Sequence, residues 1–239
     1  MPNCLFQFKQ FDVWSHIGGF KVGTDAVLLG AWADVQDDSQ IMEIGGGTGV
    51  VTLMLAQRSS SSIHVVELDK DAARQARFNF ERSQFGSLEV TQDSIQEFAE
   101  ESDQMFDHIV CNPPYFQFSS KPDSETLLKA KHTDTLEPRD LISSVGKILT
   151  PSGRLSMIIP SEAFSSWNGL ARSIGLQSVR KLLIRPKLEF DVKRVLVEWK
   201  RGYSSACESS ELSLEIGSAE DREYTNEFKD LMKDYFIKF

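Results

Sequence analysis

Between Gln40 and Pro160 the chain alternates strand-sized apolar runs with helix-patterned segments, and this alternation restricts the fold more than any other feature. The runs 41–45 (IMEIG), 63–68 (IHVVEL), 87–92 (SLEVTQ), 106–112 (FDHIVCN) and 153–160 (GRLSMIIP) are short, rich in β-branched residues and closed by turn chemistry. Helical spacing fills the gaps at 48–58, 95–100 and 141–149, and also after Asp69, a natural N-cap, where Ala72, Ala76 and Phe80 recur on one face. Strands joined through helices return in the same direction, and helices on both faces require strands that are apolar on both sides. The expectation is an α/β fold: a doubly wound, Rossmann-like sheet, mostly parallel.

After Pro160 the pattern changes. The runs 176–184 and 192–200 are joined by a connection too short for a helix, which predicts an antiparallel hairpin at the sheet edge. The Ser/Glu-rich stretch 203–211 reads as an exposed loop, and 225–236 reads as a closing amphipathic helix. Ahead of the core, 21–34 predicts a helix capped near Thr24 or Asp25, preceded by an irregular arm bearing Phe6, Phe8, Phe11, Trp14 and Phe20. These aromatics suit either stacking on unpaired RNA bases or packing on the domain. Residues 1–239 are read as one domain: arm and helix at 1–39, core at 40–160, hairpin and closing helix at 161–239.

With 239 residues, 41% of them hydrophobic, the chain can bury a full core, which excludes disorder. A net charge of -9 excludes a protein that coats nucleic acid indiscriminately. Yet 172–201 holds nine Lys/Arg (172, 180, 181, 185, 187, 193, 194, 200 and 201) against three acids (189, 191 and 198), a local basic patch suited to an anionic polymer. Cys4, Cys111 and Cys207 are far apart and the four histidines form no cluster, so neither a disulfide framework nor a metal site is encoded. No apolar run approaches the ~20 residues that span a bilayer. The expected setting is cytoplasmic, with no membrane and no obligatory protein partner.

Three strand ends carry chemistry. Glu43 precedes Gly45, Gly47 and Gly49 between a strand and a helix, where glycine permits a tight turn and close approach of a ligand to the helix N-terminus. A dinucleotide fingerprint would place Gly or Ala at position 50, which is Val50, so that reading weakens. Glu67 closes the second strand, where a carboxylate accepts both hydroxyls of a ribose. Asp93 closes the third, either as a ligand acid or as a helix cap. The fourth runs into Asn112-Pro113-Pro114-Tyr115-Phe116. Two prolines fix the backbone so that the Asn112 amide and the Pro113 carbonyl can serve one planar nitrogen, with Tyr115 as a stacking surface.

The GxGxG turn preceded by an acid resembles motif I of class I S-adenosylmethionine (SAM) methyltransferases. The Asn112–Tyr115 tetrapeptide resembles their motif IV for planar nitrogens. With KVGTDAVLLGAW ahead of motif I, Ala130, His132, Leu136, Asp140 and Leu141 beyond it, and the tail REYTNEFKDLMKDYFIKF, the chain resembles the bacterial family that methylates N6 of adenine 37 in valine tRNA. That resemblance implies SAM as cofactor and a tRNA anticodon stem-loop as partner. It implies that Lys21, Gly23, Thr24, Asp25, Glu43, Gly45, Gly47, Gly49, Glu67, Asp93 and Asn112 hold the cofactor, and that Asn112, Pro113 and Tyr115 serve catalysis. Pro114 and Phe116 would meet the base, and Arg185, Lys187, Lys193 and Arg194 the phosphates. Glu43 stands where the family usually has aspartate, and Lys131 where it often has arginine. Protein glutamine N5-methylation, guanine-N2 methylation of ribosomal RNA and a silent nucleotide- or RNA-binding domain remain as alternatives.

Overall fold

The computed structural model describes residues 4–17, 21–37, 39–114, 136–202, 206–217, 221 and 223–239. A hairpin of β1 (Leu5–Gln7) and β2 (Asp12–Trp14) precedes helix α1 (Thr24–Trp32). Then β3 (Gln40–Ile44), α2 (Val50–Ala56), β4 (Ser62–Glu67), α3 (Lys70–Arg82), β5 (Leu88–Gln92), α4 (Ile95–Glu101) and β6 (Phe106–Cys111) alternate, followed by α5 (Pro138–Ile148) and β7 (Leu149–Pro160). A 3-10 turn (Ser161–Ala163), α6 (Phe164–Ser173), β8 (Leu176–Lys187), β9 (Arg194–Arg201), β10 (Glu208–Ile216), β11 (Glu223–Tyr224) and α7 (Asn226–Met232) complete it.

The main sheet has the order β11-β10-β8-β9-β7-β6-β3-β4-β5 among the described residues. Strands β5, β4, β3, β6 and β7 are mutually parallel, so the doubly wound expectation holds. From β3 the chain winds outward to β5, then crosses back to β6 on the other side. The crevice for a ligand therefore opens at the carboxyl ends of β3 and β6, where the winding reverses.

Consecutive apolar residues on each central strand enter two different cores, as burial on both faces demands. Ile41, Val65, Val110 and Ile158 face α1, α2, α3 and α7, together with Leu29, Leu53, Met54, Ala76 and Phe228. Met42, Val66, Ile109 and Met157 face α4, α5 and α6, together with Phe98, Leu141, Val145 and Trp167.

Several expectations are corrected. The 176–201 hairpin is antiparallel but not at the edge, because β10 adds parallel to β8 on its outer side and β11 follows. The last four residues of the expected 203–211 loop, Glu208–Glu211, are thus strand, while 203–205 lie outside the described residues; an outer strand buries alternate residues only, here Leu212 and in part Leu214, so its Ser/Glu content hides it. The arm is a hairpin rather than irregular, and Phe8 and Phe11 are buried and stacked with centroids 4.5 Å apart, whereas Phe6 is exposed. Helix α1 begins one residue early, with Gly23 at its N-cap and no side-chain cap, which puts Thr24 and Asp25 inside its first turn. Asp69 caps α3 as expected, accepting from the Ala72 amide at 2.8 Å.

One polar chain crosses the first core. His108 Nε2 lies 2.9 Å from Ser156 Oγ, which lies 3.4 Å from Glu198 Oε2, and Glu198 pairs with Arg180 at 3.3 Å. Burial holds the imidazole well below its ordinary pKa, and the Arg154, Arg180 and Arg58 cations push the same way. The unfolded chain therefore takes up a proton near pH 6.5 that the folded one refuses. Stability should fall as pH drops below about 6.5, by up to about 1.4 kcal/mol per pH unit. Thermal melts from pH 7.5 to 5.5 check this: His108→Gln should show a shallower acid loss than the parent protein.

Candidate cofactor and catalytic site

The site begins in the five residues between β3 and α2. Gly45, Gly47 and Gly49 all have positive φ (76°, 53° and 79°), a conformation that side chains resist. The Gly45 amide donates to the Val66 carbonyl at 2.8 Å, one step beyond the ladder, and the Gly49 amide closes a turn onto the Gly46 carbonyl at 2.7 Å. A Cβ on Gly46 would stand 2.3 Å from Val65 Cγ1 and one on Gly49 2.4 Å from Phe80 Cε1, so one side of the loop is pressed against β4 and α3. A Cβ on Gly45 or Gly47 would meet nothing within 4 Å. The bare backbone there faces open space, the shape needed for a ligand to lie against it.

Glu67, buried at the end of β4, closes this cradle. Its Oε2 accepts the Gly47 amide at 2.9 Å and its Oε1 the Asp69 amide at 2.9 Å. Each carboxylate oxygen accepts up to two bonds, so both keep capacity for a vicinal diol. At the end of β5, Asp93 donates its amide to the Glu67 carbonyl at 3.1 Å, and its Oδ1 accepts the Ser94 amide at 2.7 Å. The capping alternative for Asp93 is overturned, because Ser94 caps α4 by accepting from the Glu97 amide at 3.1 Å. These acceptors and the open glycine backbone fit the ribose and base of an adenosyl group.

Glu43 plays a different part from Glu67. It is 2% exposed, and its Oε2 accepts the Thr52 amide at 3.0 Å and the Thr52 hydroxyl. Helix α2 has no cap of its own at Gly49, so Glu43 supplies one from the neighbouring strand. Burial pushes its carboxyl up to about 8, against the Thr52 hydrogen bonds that lower it, and the nearby Glu67 adds to the rise.

Strand β6 ends at Cys111, beside Ile44 of β3, so Asn112, Pro113 and Pro114 emerge next to the glycine loop. Asn112 is half-buried, Pro113 buried and Pro114 exposed. Tyr115, Phe116, Lys131 and His132 lie outside the described residues.

Lys21, Gly23 and Thr24 are exposed at the start of α1, and Asp25 binds Arg194 Nε through Oδ2 at 3.0 Å. Arg194 lies across from Pro160, the last residue of β7, so this pair brings the start of α1 to the carboxyl edge of the sheet. The basic stretch is more occupied than its composition suggests. Arg180 stacks 4.0 Å over Trp32, Arg185 binds Glu211 at 3.2 Å and the Phe190 carbonyl at 3.0 Å, and Lys187 donates to the Gly217 carbonyl at 2.7 Å. Of the four cations assigned to phosphates, Lys193 stands exposed.

Sequence reasoning missed two residues near this site. Gln75 and Asn79 on α3 are fully buried amides, and Asn79 Nδ2 donates to the Thr48 carbonyl of the glycine loop at 2.8 Å. Both fall on the face defined by Ala72, Ala76 and Phe80, which was the available signal.

A doubly wound sheet with a glycine loop after its first core strand, an acid after the next and an Asn-Pro-Pro turn at the switch point defines the class I methyltransferase architecture. The fold agrees with a solved structure, a predicted O-methyltransferase from Agrobacterium tumefaciens, at a TM-score of 0.67 over 88% of this chain and 96% of that one, with 22% identity. The methyltransferase small domain family matches residues 9–173. Curated relatives named tRNA1(Val) (adenine(37)-N6)-methyltransferase include those of Parabacteroides distasonis, 40% identical, and Trichodesmium erythraeum, 38% identical, each over 100% of both chains. The chain belongs to the tRNA1(Val) (adenine(37)-N6)-methyltransferase family. Family and fold together imply SAM as methyl donor. Among the described residues no helix is long and apolar enough to cross a membrane.

The burial of Glu43 gives a test. Its folded pKa exceeds its unfolded one, so its contribution is full below about pH 4.5 and lost as pH rises toward 8. Glu43→Gln keeps an acceptor for Thr52 and removes the ionisation. Thermal melts between pH 5 and 8.5 should show the variant gaining on the parent protein with rising pH, by up to about 1.4 kcal/mol per unit.

Proposed function

We propose that this chain, working as one domain, transfers the methyl group of SAM to the N6 amine of adenine 37 in the anticodon loop of valine tRNA. The observation that carries this reading is the Asn112-Pro113-Pro114 turn at the carboxyl end of β6, in a chain 40% identical end to end to a curated relative of that name. The alternative of guanine-N2 or glutamine methylation shares the turn, but the relatives' name favours adenine.

SAM supplies a methyl group on a sulfonium, an electrophile that needs only an aligned nucleophile. The chain's residues supply the alignment. Gly45 and Gly47 admit the cofactor to the backbone, Glu67 accepts its ribose hydroxyls, and Asp93 meets its adenine amine. Glu43 acts through Thr52 by fixing the start of α2. Lys21, Gly23, Thr24 and Asp25 close the methionine end.

An adenine amine is a poor nucleophile because its lone pair is delocalised into the ring. The Asn112 side-chain carbonyl and the Pro113 backbone carbonyl accept its two N–H groups, which turns the lone pair toward the methyl group and strengthens both bonds as charge develops. Pro114, Tyr115 and Phe116 supply the flat surface for the base. The proton leaves the methylated nitrogen to water. RNA phosphates meet the β8–β9 hairpin at Arg185, Lys187, Lys193 and Arg194; since three of these have partners within the fold, Lys193 carries the larger share.

Three substitutions separate these roles. Asn112→Ala should lower single-turnover kcat on an anticodon stem-loop by roughly two to four orders of magnitude while leaving cofactor affinity nearly unchanged. Full activity would refute the alignment. Glu67→Ala should weaken SAM binding in calorimetry by more than the ~1.5–3 kcal/mol of charge-assisted bonds alone, because the Gly47 and Asp69 amides also lose their acceptor. Lys193→Ala should lower the salt slope of tRNA binding by about one while cofactor affinity stays put; an unchanged slope would move the RNA elsewhere.

A further inference from the structure

Helix α3 turns two amide side chains inward, and both are completely buried. Gln75 and Asn79 lie one turn apart and so share a face. Asn79 Oδ1 accepts the Trp14 amide at 3.0 Å, while its Nδ2 donates to the Trp14 carbonyl at 3.0 Å and to the Thr48 carbonyl at 2.8 Å. Gln75 Oε1 accepts the Ile17 amide at 2.7 Å. Trp14 is therefore held on both backbone groups, as a strand partner would hold it, by the same side chain that holds the glycine loop.

We propose that Gln75 and Asn79 are positioning residues of the cofactor site: they fix the N-terminal arm, through Trp14 and Ile17, against the glycine loop, through Thr48, so that the two walls of the cofactor cleft are set before the cofactor arrives. The inference rests on the SAM reading above. Its physical content is preorganisation, since a wall already in place need not be ordered on binding.

Stability alone does not account for the pair. A buried amide on a helix carries a desolvation cost that an aliphatic side chain avoids, and only specific partners offset it. Among the described residues Gln75 Nε2, also buried, has no hydrogen-bond partner, and the bond that Gln75 does make is the one to Ile17. Such a residue suits anchoring a segment rather than filling a core. The other end of the arm has its own anchor, the Lys9 amide donating to the Tyr235 carbonyl at 2.8 Å. The α3 amides control the end that leads toward Lys21–Asp25.

The test uses the full chain, with SAM alone as the probe in calorimetry, hydrogen exchange at the Trp14 and Ile17 amides, and kcat at saturating SAM. Asn79→Ala should weaken SAM binding by about tenfold and Gln75→Leu by roughly threefold to tenfold, with faster exchange at the anchored amides and kcat within about twofold. Gln75→Glu keeps the acceptor for Ile17 and should restore both protection and affinity. Unchanged SAM affinity alongside free exchange would make the amides merely structural and overturn the proposal, as would full protection in both variants. If Asn79→Ala does not fold, the Gln75 pair carries the same comparison. A parent protein that binds no SAM would instead overturn the cofactor reading, and the inference with it, in a titration that involves no variant.

Discussion

Everything in this structure that bears on chemistry depends on one close approach: the backbone from Gly45 to Gly49 wedged against Val65 and Phe80. With hydrogens in place of side chains at Gly46 and Gly49, the loop can sit where a methyl group would overlap carbon atoms at 2.3 and 2.4 Å. That contact aims the Gly47 amide at Glu67 and presents the outer backbone to solvent. Two neighbouring elements then hold it from different directions. Glu43 fastens the helix that follows, and Asn79 fastens the Thr48 carbonyl. The loop is thus packed into the first core rather than standing free as a flap.

Charge in this protein serves the fold before it serves any ligand. The acidic chain concentrates cations in β8 and β9, yet Arg180 lies against Trp32 and Glu198, and Arg194 ties β9 to α1 through Asp25. Those ties bring the start of α1 to the rim where the parallel strands end. His108 and Glu43 are buried groups held neutral by opposite shifts, one lowered and one raised. Burial is the larger cause in both, and for Glu43 it outweighs the Thr52 hydrogen bonds, which favour the charged form.

The parallel strands were legible because burial on both faces leaves continuous apolar runs, and Asp69 was legible because capping chemistry is local. The positions of Glu67 and Asp93 were legible for the same reason that the strands were: a parallel sheet makes every strand end a candidate position. What escaped is explained by neighbours distant in sequence. Strand β10 needs only Leu212 and Leu214 turned inward, so Glu208 to Glu211 looked like loop. The cap expected near Thr24 or Asp25 is at Gly23, and Asp25 instead meets Arg194, 169 residues away. The basic stretch counted cations without their partners, and Glu211 and Asp25 come from other elements. Gln75 and Asn79 drew no reading from the sequence, although their spacing relative to Ala72 and Ala76 puts them on the buried face.

The N-terminal hairpin closes against the other end of the chain. Phe8 forms a bridge with Phe236, and the Lys9 ammonium donates to the carbonyls of Lys233 and Phe239, more than 220 residues further on. Contacts of such separation form late, because the loop they close must first be gathered. These contacts add to the anchors at Trp14 and Ile17, whose partners Asn79 and Gln75 on α3 lie only 65 and 58 residues away. The hairpin is therefore moored twice, at its Trp14 end by partners near in sequence and at its Lys9 end by partners far from it, and the second set is the later to form.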